Sequence, residues 1–287
     1  MAMLPFWISI ALLSLSQAVL VAAPQTMSFR LFERLRSRGW AAIPPLSVLA
    51  FVLVARAAEQ RSAESLTYLA LVAVPVLAAL ALGRFIRGAR PGLAILVLPL
   101  FGLAWGDRGG LAGEVAALVL SGLSCVTLGV LLASVTPSQW LGVGIVLMAI
   151  ADTALVVSDL LQHPNDVLNA AQPAAGLPRL QSTTVGSAVM GYGDLFVAGV
   201  LGALLAVGRE GSDQARAAVL VAVLALSSDL LFFFVDELPA TVPVALALIV
   251  VALRRRTYHR AEAPRRRPSG CRPGASRRSD PSAARTR

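Results

Sequence analysis

The chain of 287 residues contains no lysine, and charged residues make up only 14% of it. A soluble globular domain carries roughly 25% charged residues. Histidine is nearly as scarce, with only His163 and His259 present. Cysteine is limited to Cys125, inside an apolar run, and Cys271, in an Arg-rich end too far away to pair with it. A disulfide scaffold is therefore excluded. So is zinc hydrolysis of the His-Glu-x-x-His type, because no such spacing exists. Serine-type proteolysis needs a His beside its Ser. His163 is followed by Pro164 and Asn165 and reads as a loop residue. A Cys nucleophile would need an activating His near Cys125, and the sequence around it holds none.

Apolar residues, by contrast, make up 56%, and the mean hydropathy is +0.73. That excludes a disordered chain and an ordinary cytosolic enzyme, and leaves an all-α polytopic membrane protein. The net charge of +9 belongs to one end. Residues 254–287 hold twelve Arg against Glu262 and Asp280, whereas residues 1–253 hold thirteen Arg against fourteen acids. The composition predicts two regions, a membrane domain over 1–253 and a basic, disordered cytoplasmic tail over 254–287. Such a flank suits anionic lipid, and no nucleic-acid partner is expected. The absence of Lys reads as coding bias.

Apolar stretches of spanning length recur at about 3–23, 42–57, 65–83, 92–106, 112–133, 139–161, 186–208, 216–236 and 238–253. This predicts about nine transmembrane helices. The first ends Val21-Ala22-Ala23-Pro24, as signal peptides do, but it lacks a basic start and is closely followed by Arg30, Arg34, Arg36 and Arg38. A retained helix fits better. Arginines concentrate in alternate loops, which puts the N-terminus outside and the C-terminus in the cytoplasm. No internal repeat supports an inverted-repeat transporter.

Charge in hydrocarbon costs at least a few kcal/mol, so intramembrane acids need a reason. Asp152, Asp159, Asp194 and Asp229 qualify, whereas Glu114, Asp236 and Glu237 read as solvated rim charges. Asp159 is close to the rim. Asp229, after Ser227 and Ser228, reads as a polar helix contact. Asp152 is roughly 13 Å from the outer end of its predicted helix and Asp194 roughly 12 Å from the outer end of the next. Depth thus pairs these two acids. Gly191-Tyr192-Gly193 immediately precedes Asp194, and two glycines in mid-helix would loosen the backbone and admit another chain. Close helix packing would use small residues equally well. The chemistry left is an aspartyl dyad. Two neighbouring carboxylates share one proton, and together they activate water and protonate a peptide carbonyl. No cofactor and no metal is required.

With these residues in view, the chain resembles the GxGD intramembrane aspartyl proteases, the superfamily of presenilin and signal peptide peptidase. Asp152-Thr153-Ala154-Leu155-Val156-Val157 is similar to the stretch around that family's first catalytic Asp. Met190-Gly191-Tyr192-Gly193-Asp194-Leu195-Phe196 matches the second motif, and nine helices with the motifs on six and seven match its architecture. The resemblance implies catalytic Asp152 and Asp194, with Gly191, Tyr192 and Gly193 near substrate. The family's Pro-Ala-Leu corresponds to Pro239-Ala240-Thr241, or in split form to Pro243-Val244-Ala245-Leu246. Pro239, Ala240 and Pro243 are thereby substrate-positioning candidates, and an ordinary first-turn proline is the alternative. A prokaryotic cell membrane is the expected location. The orientation resembles signal peptide peptidases and implies transmembrane substrates of type II orientation, including remnant signal peptides. Two other readings use the same acids. One is a prepilin-peptidase-like aspartyl protease, and the other a proton-coupled transporter or channel with Asp229 in its relay.

Overall fold

The structure, a computed structural model, describes residues 5–25, 36–46, 50, 59–158, 177–207, 211–235 and 238–262. The chain divides into two units, Met1–Ala252 and Leu253–Arg287. Helix α1 is Phe6–Ala22, α2 Glu59–Leu80, α3 Val97–Gly106, α4 Leu111–Val135 and α5 Ser138–Val157. A hairpin of β1 (Ser182–Val185) and β2 (Ala188–Gly191) follows. Helices α6 (Tyr192–Val207), α7 (Gly211–Asp229) and α8 (Val242–Glu262) complete the order. A π turn, Ala81–Phe85, continues α2, and a 3-10 turn, Pro91–Leu96, leads into α3.

The described residues are mostly helical. Four stretches are long and apolar enough to cross a membrane: Thr67–Phe85, Leu111–Val135, Ser138–Val157 and Ser212–Phe233. This composition points to a membrane protein. Large apolar side chains stay exposed on these stretches, among them Leu69, Val72, Val143 and Val219. Lipid is the solvent that tolerates such a surface.

Helix α6 occupies the centre. It is apolar on every side, so it must be surrounded. Leu195, Val197, Ala198, Val200, Leu201 and Ala203 are all buried. Helix α4 packs along one side of it and α1 along another, while α5 and α7 also touch it. Glycines permit this closeness. A Cβ on Gly129 would stand 2.6 Å from the Gly199 backbone, and one on Gly202 would stand 2.6 Å from the Val21 carbonyl oxygen. Small residues play this part in membrane helix packing generally. Buried Gln214 of α7 ties the same region together, its amide donating to the carbonyls of Val21, Pro24 and Gly202.

The predicted seventh span, 186–208, is wrong at its start. Residues 188–191 form β2 and pair with β1 in antiparallel register, Thr183 opposite Met190 and Val185 opposite Ala188. Gly186 supplies the turn with φ 59°, a left-handed value that favours glycine. Burial alternates along β2, as a half-covered strand requires. Hydropathy alone misreads such a segment, because a short apolar run looks alike as strand or helix. The other described helices differ from the predicted stretches mainly at their ends, except that 92–106 divides into a 3-10 turn and the ten-residue α3. Helix α8 runs past residue 253 to Glu262, so the first residues of the predicted disordered tail are helical. Most of the predicted second span, together with Asp159, His163, Asp236, Glu237 and residues 263–287, lies outside the described residues.

Candidate active site

Asp152 comes from the C-terminal part of α5 and Asp194 from the start of α6. Because the helix begins at Tyr192, Asp194 stands in the first turn and not eight residues deep. Likewise the two glycines are not in mid-helix. Gly191 closes β2, and Gly193 follows in the first turn of α6. The equal depths expected for Asp152 and Asp194 therefore do not hold, because the helix starts six residues later than the apolar run does. Met148 lies one turn before Asp152 on the same face of α5. Its methyl is 3.7 Å from where a Gly193 Cβ would be. That contact seats the face of α5 bearing Asp152 against the first turn of α6. The charge of Asp152 acts on the Asp194 carboxyl group.

Each acid has its own support. A Cβ on Gly191 would come within 3.2 Å of the Asp194 Oδ2, so glycine leaves the carboxylate its space. The Gly191 backbone N–H faces that carboxylate. A third-residue acid reaching back to the N–H before its helix is one half of a capping box, and it also faces the positive end of the helix dipole. Asp152 Oδ2 accepts a hydrogen bond of 2.6 Å from the Thr241 hydroxyl. Thr241 is 1% exposed.

Thr241, the third residue of Pro239-Ala240-Thr241, is a site residue with no role in the sequence motif itself. A cue was available, because Thr directly before an apolar helical run is a common helix start. In the structure Ala245 N–H donates to the Thr241 carbonyl at 3.1 Å, which begins α8. Pro239 and Ala240 build the turn before it, with the Val242 N–H bonded to the Pro239 carbonyl at 3.2 Å. Pro243 is buried in the first turn of α8, the ordinary place for a helical proline. The segment resembling Pro-Ala-Leu thus reaches Asp152 through Thr241.

Tyr192 points elsewhere. Its hydroxyl shares a 2.7 Å hydrogen bond with Ser124 Oγ on α4, and its carbonyl faces Cys125 Sγ at 3.9 Å. It anchors the start of α6 to α4. Asp229 accepts from the Ser14 hydroxyl of α1 at 3.0 and 2.9 Å, so it makes the polar helix contact expected of it. Ser227 and Ser228 donate back to their own helix, at the carbonyls of Val223 and Leu224. Among the described residues no group of three or more His, Cys, Asp or Glu is placed to hold a metal ion.

Glu114 departs from its reading as a solvated rim charge. Its carboxylate accepts the Gly186 N–H at 2.7 Å and so holds the hairpin turn. A bond to a charged acceptor contributes about 1.5–3 kcal/mol. Glu114→Ala is expected to speed amide exchange throughout 182–191 by about tenfold or more, and Glu114→Gln by less, since the amide oxygen still accepts. Hydrogen-exchange mass spectrometry reads both.

Compared with protein-family models, with curated proteins and with solved structures, the chain matches none.

Proposed function

We propose that the chain is an intramembrane aspartyl protease that hydrolyses peptide bonds within transmembrane helices. The observation that carries this reading is the placement of Asp152 and Asp194, from separate elements, within reach of each other's charge. Two carboxyl groups so placed share a proton, because two negative charges side by side are costly. The ionised member removes a proton from water as the water oxygen attacks the peptide carbonyl carbon. The neutral member gives its proton to the carbonyl oxygen, forming a gem-diol. The C–N bond then breaks, the leaving nitrogen takes the proton gained from water, and a diol proton returns to the other carboxyl. One water is consumed and the dyad is restored.

Substrate must lie extended to expose a peptide bond. The hairpin ends at Gly191, next to Asp194, and a strand edge beside a catalytic acid is a place where an unwound segment can pair. In this reading about nine helices cross the membrane, with the N-terminus outside and the C-terminus cytoplasmic. The partners are lipid and single-span substrates of type II orientation, remnant signal peptides among them.

Incubation of the purified chain with a labelled transmembrane peptide, followed by mass spectrometry, tests the activity. Cleavage inside the apolar segment is the expected result. Proton flux in liposomes that depends on these acids, without any cleaved peptide, would instead favour transport. Orientation is tested separately, with matched type I and type II substrates in vesicles. Type II turnover should exceed type I by about tenfold, and equal turnover would remove the preference.

A further inference from the structure

We infer that Thr241 is a positioning residue for Asp152, holding that carboxylate in its reactive orientation through a hydroxyl donor that the Pro239-Ala240 turn sets in place. The inference rests on the protease reading and adds a specific part to it. Three observations carry it. The Thr241 hydroxyl donates to Asp152 Oδ2 at 2.6 Å, short enough for a charge-assisted bond. The Thr241 backbone N–H faces the same carboxyl group, so two donors of one residue serve one acid. The turn is itself anchored, because Gln17 of α1 donates to the Ala240 carbonyl at 3.1 Å, and Gln17 is 1% exposed.

This arrangement has a chemical consequence. A carboxylate on a helix can turn about its side-chain torsions, and each misaligned rotamer is lost to catalysis. Fixing Oδ2 from a different helix removes that freedom. A leucine at position 241 could not do so, since it has no donor. The hydroxyl also explains why Thr241 spends its side chain on Asp152 and not on the N–H groups of its own helix, which a starting Thr ordinarily serves.

Two comparisons test the idea, all with full-length chain in lipid and a labelled transmembrane peptide as substrate. Thr241→Val keeps the shape and removes the donor. It should lower kcat by about 10- to 100-fold with KM unchanged, the loss typical of one hydrogen bond to a charged group. Thr241→Ser and Thr241→Ala lose the same methyl and differ by the hydroxyl alone. Ser should stay within about threefold of the wild type and Ala should resemble Val. The Ser and Ala pair decides the matter even where Val disturbs folding. Equal kcat for Ser and Ala, or a Val variant that changes KM alone, would overturn the role of Thr241 while leaving the dyad intact. A wild-type chain that cleaves nothing would remove the protease reading and this inference together.

Discussion

Replacing either Asp152 or Asp194 by Asn should abolish peptide cleavage, with a loss of about 10³-fold or more in kcat. An amide is nearly the same size as a carboxyl but can neither take a proton from water nor give one to a carbonyl. The two acids act as a unit, so the double variant should be no slower than either single one. Turnover assayed across a range of enzyme concentration separates this from a weak activity. Folding should survive, because both residues are only partly buried and Asn can accept from Thr241 at position 152 and from the Gly191 N–H at position 194. Asp229→Asn should behave differently. Its carboxylate bonds the Ser14 hydroxyl of α1, so the dyad keeps both members and cleavage continues.

The second large effect concerns stability. Gly199→Ala should lower the melting temperature of the purified protein sharply, and Gly199→Leu should prevent accumulation of folded chain. A Cβ at Gly199 would stand 2.7 Å from the Cys125 carbonyl oxygen, with the Cys125 carbonyl carbon at 2.9 Å. Both are backbone atoms of α4 and cannot rotate away. Helices α4 and α6 must separate, at a cost of about 2–4 kcal/mol for the smallest substitution. Gly142→Ala is the matched control. Its Cβ would meet only the Leu248 side chain at 3.8 Å, an ordinary contact, and helix propensity favours Ala by about 1 kcal/mol. Thermal unfolding in detergent should therefore separate the two glycines in opposite directions. Because α6 carries Asp194, the loss at Gly199 should also reduce cleavage.

Much of this was legible in the residues. Long apolar runs mark α4 and α5 closely, since lipid demands a continuous apolar stretch and Gly110, Thr136 and Pro137 punctuate them. An acid within an apolar stretch marks Asp152, Asp194 and Asp229 as groups that need a partner, and Thr241 and Ser14 supply one to Asp152 and Asp229. The hairpin was not legible. Val185, Ala188, Val189 and Met190 are as apolar as a helix would be, and only Gly186 signals the turn. That one misreading displaced the helix start and changed Asp194 from a mid-helix acid into a first-turn acid. Thr241 and Glu114 escaped for a different reason. Each acts through a partner far along the chain, Asp152 in one case and Gly186 in the other, and no local pattern encodes such a meeting.

A chemical cross-link between the two acid positions tests the central claim most directly. Asp152→Cys and Asp194→Cys are combined in a chain whose Cys125 and Cys271 are replaced by Ser, in native membranes, and treated with a short thiol cross-linker. Thr183→Cys with Met190→Cys, paired across the hairpin, serves as the control. The account predicts rapid bridging of 152 to 194, comparable with the control. Bridging of the control while 152 and 194 stay unlinked would mean that the carboxylates do not meet, and no shared proton could then drive hydrolysis.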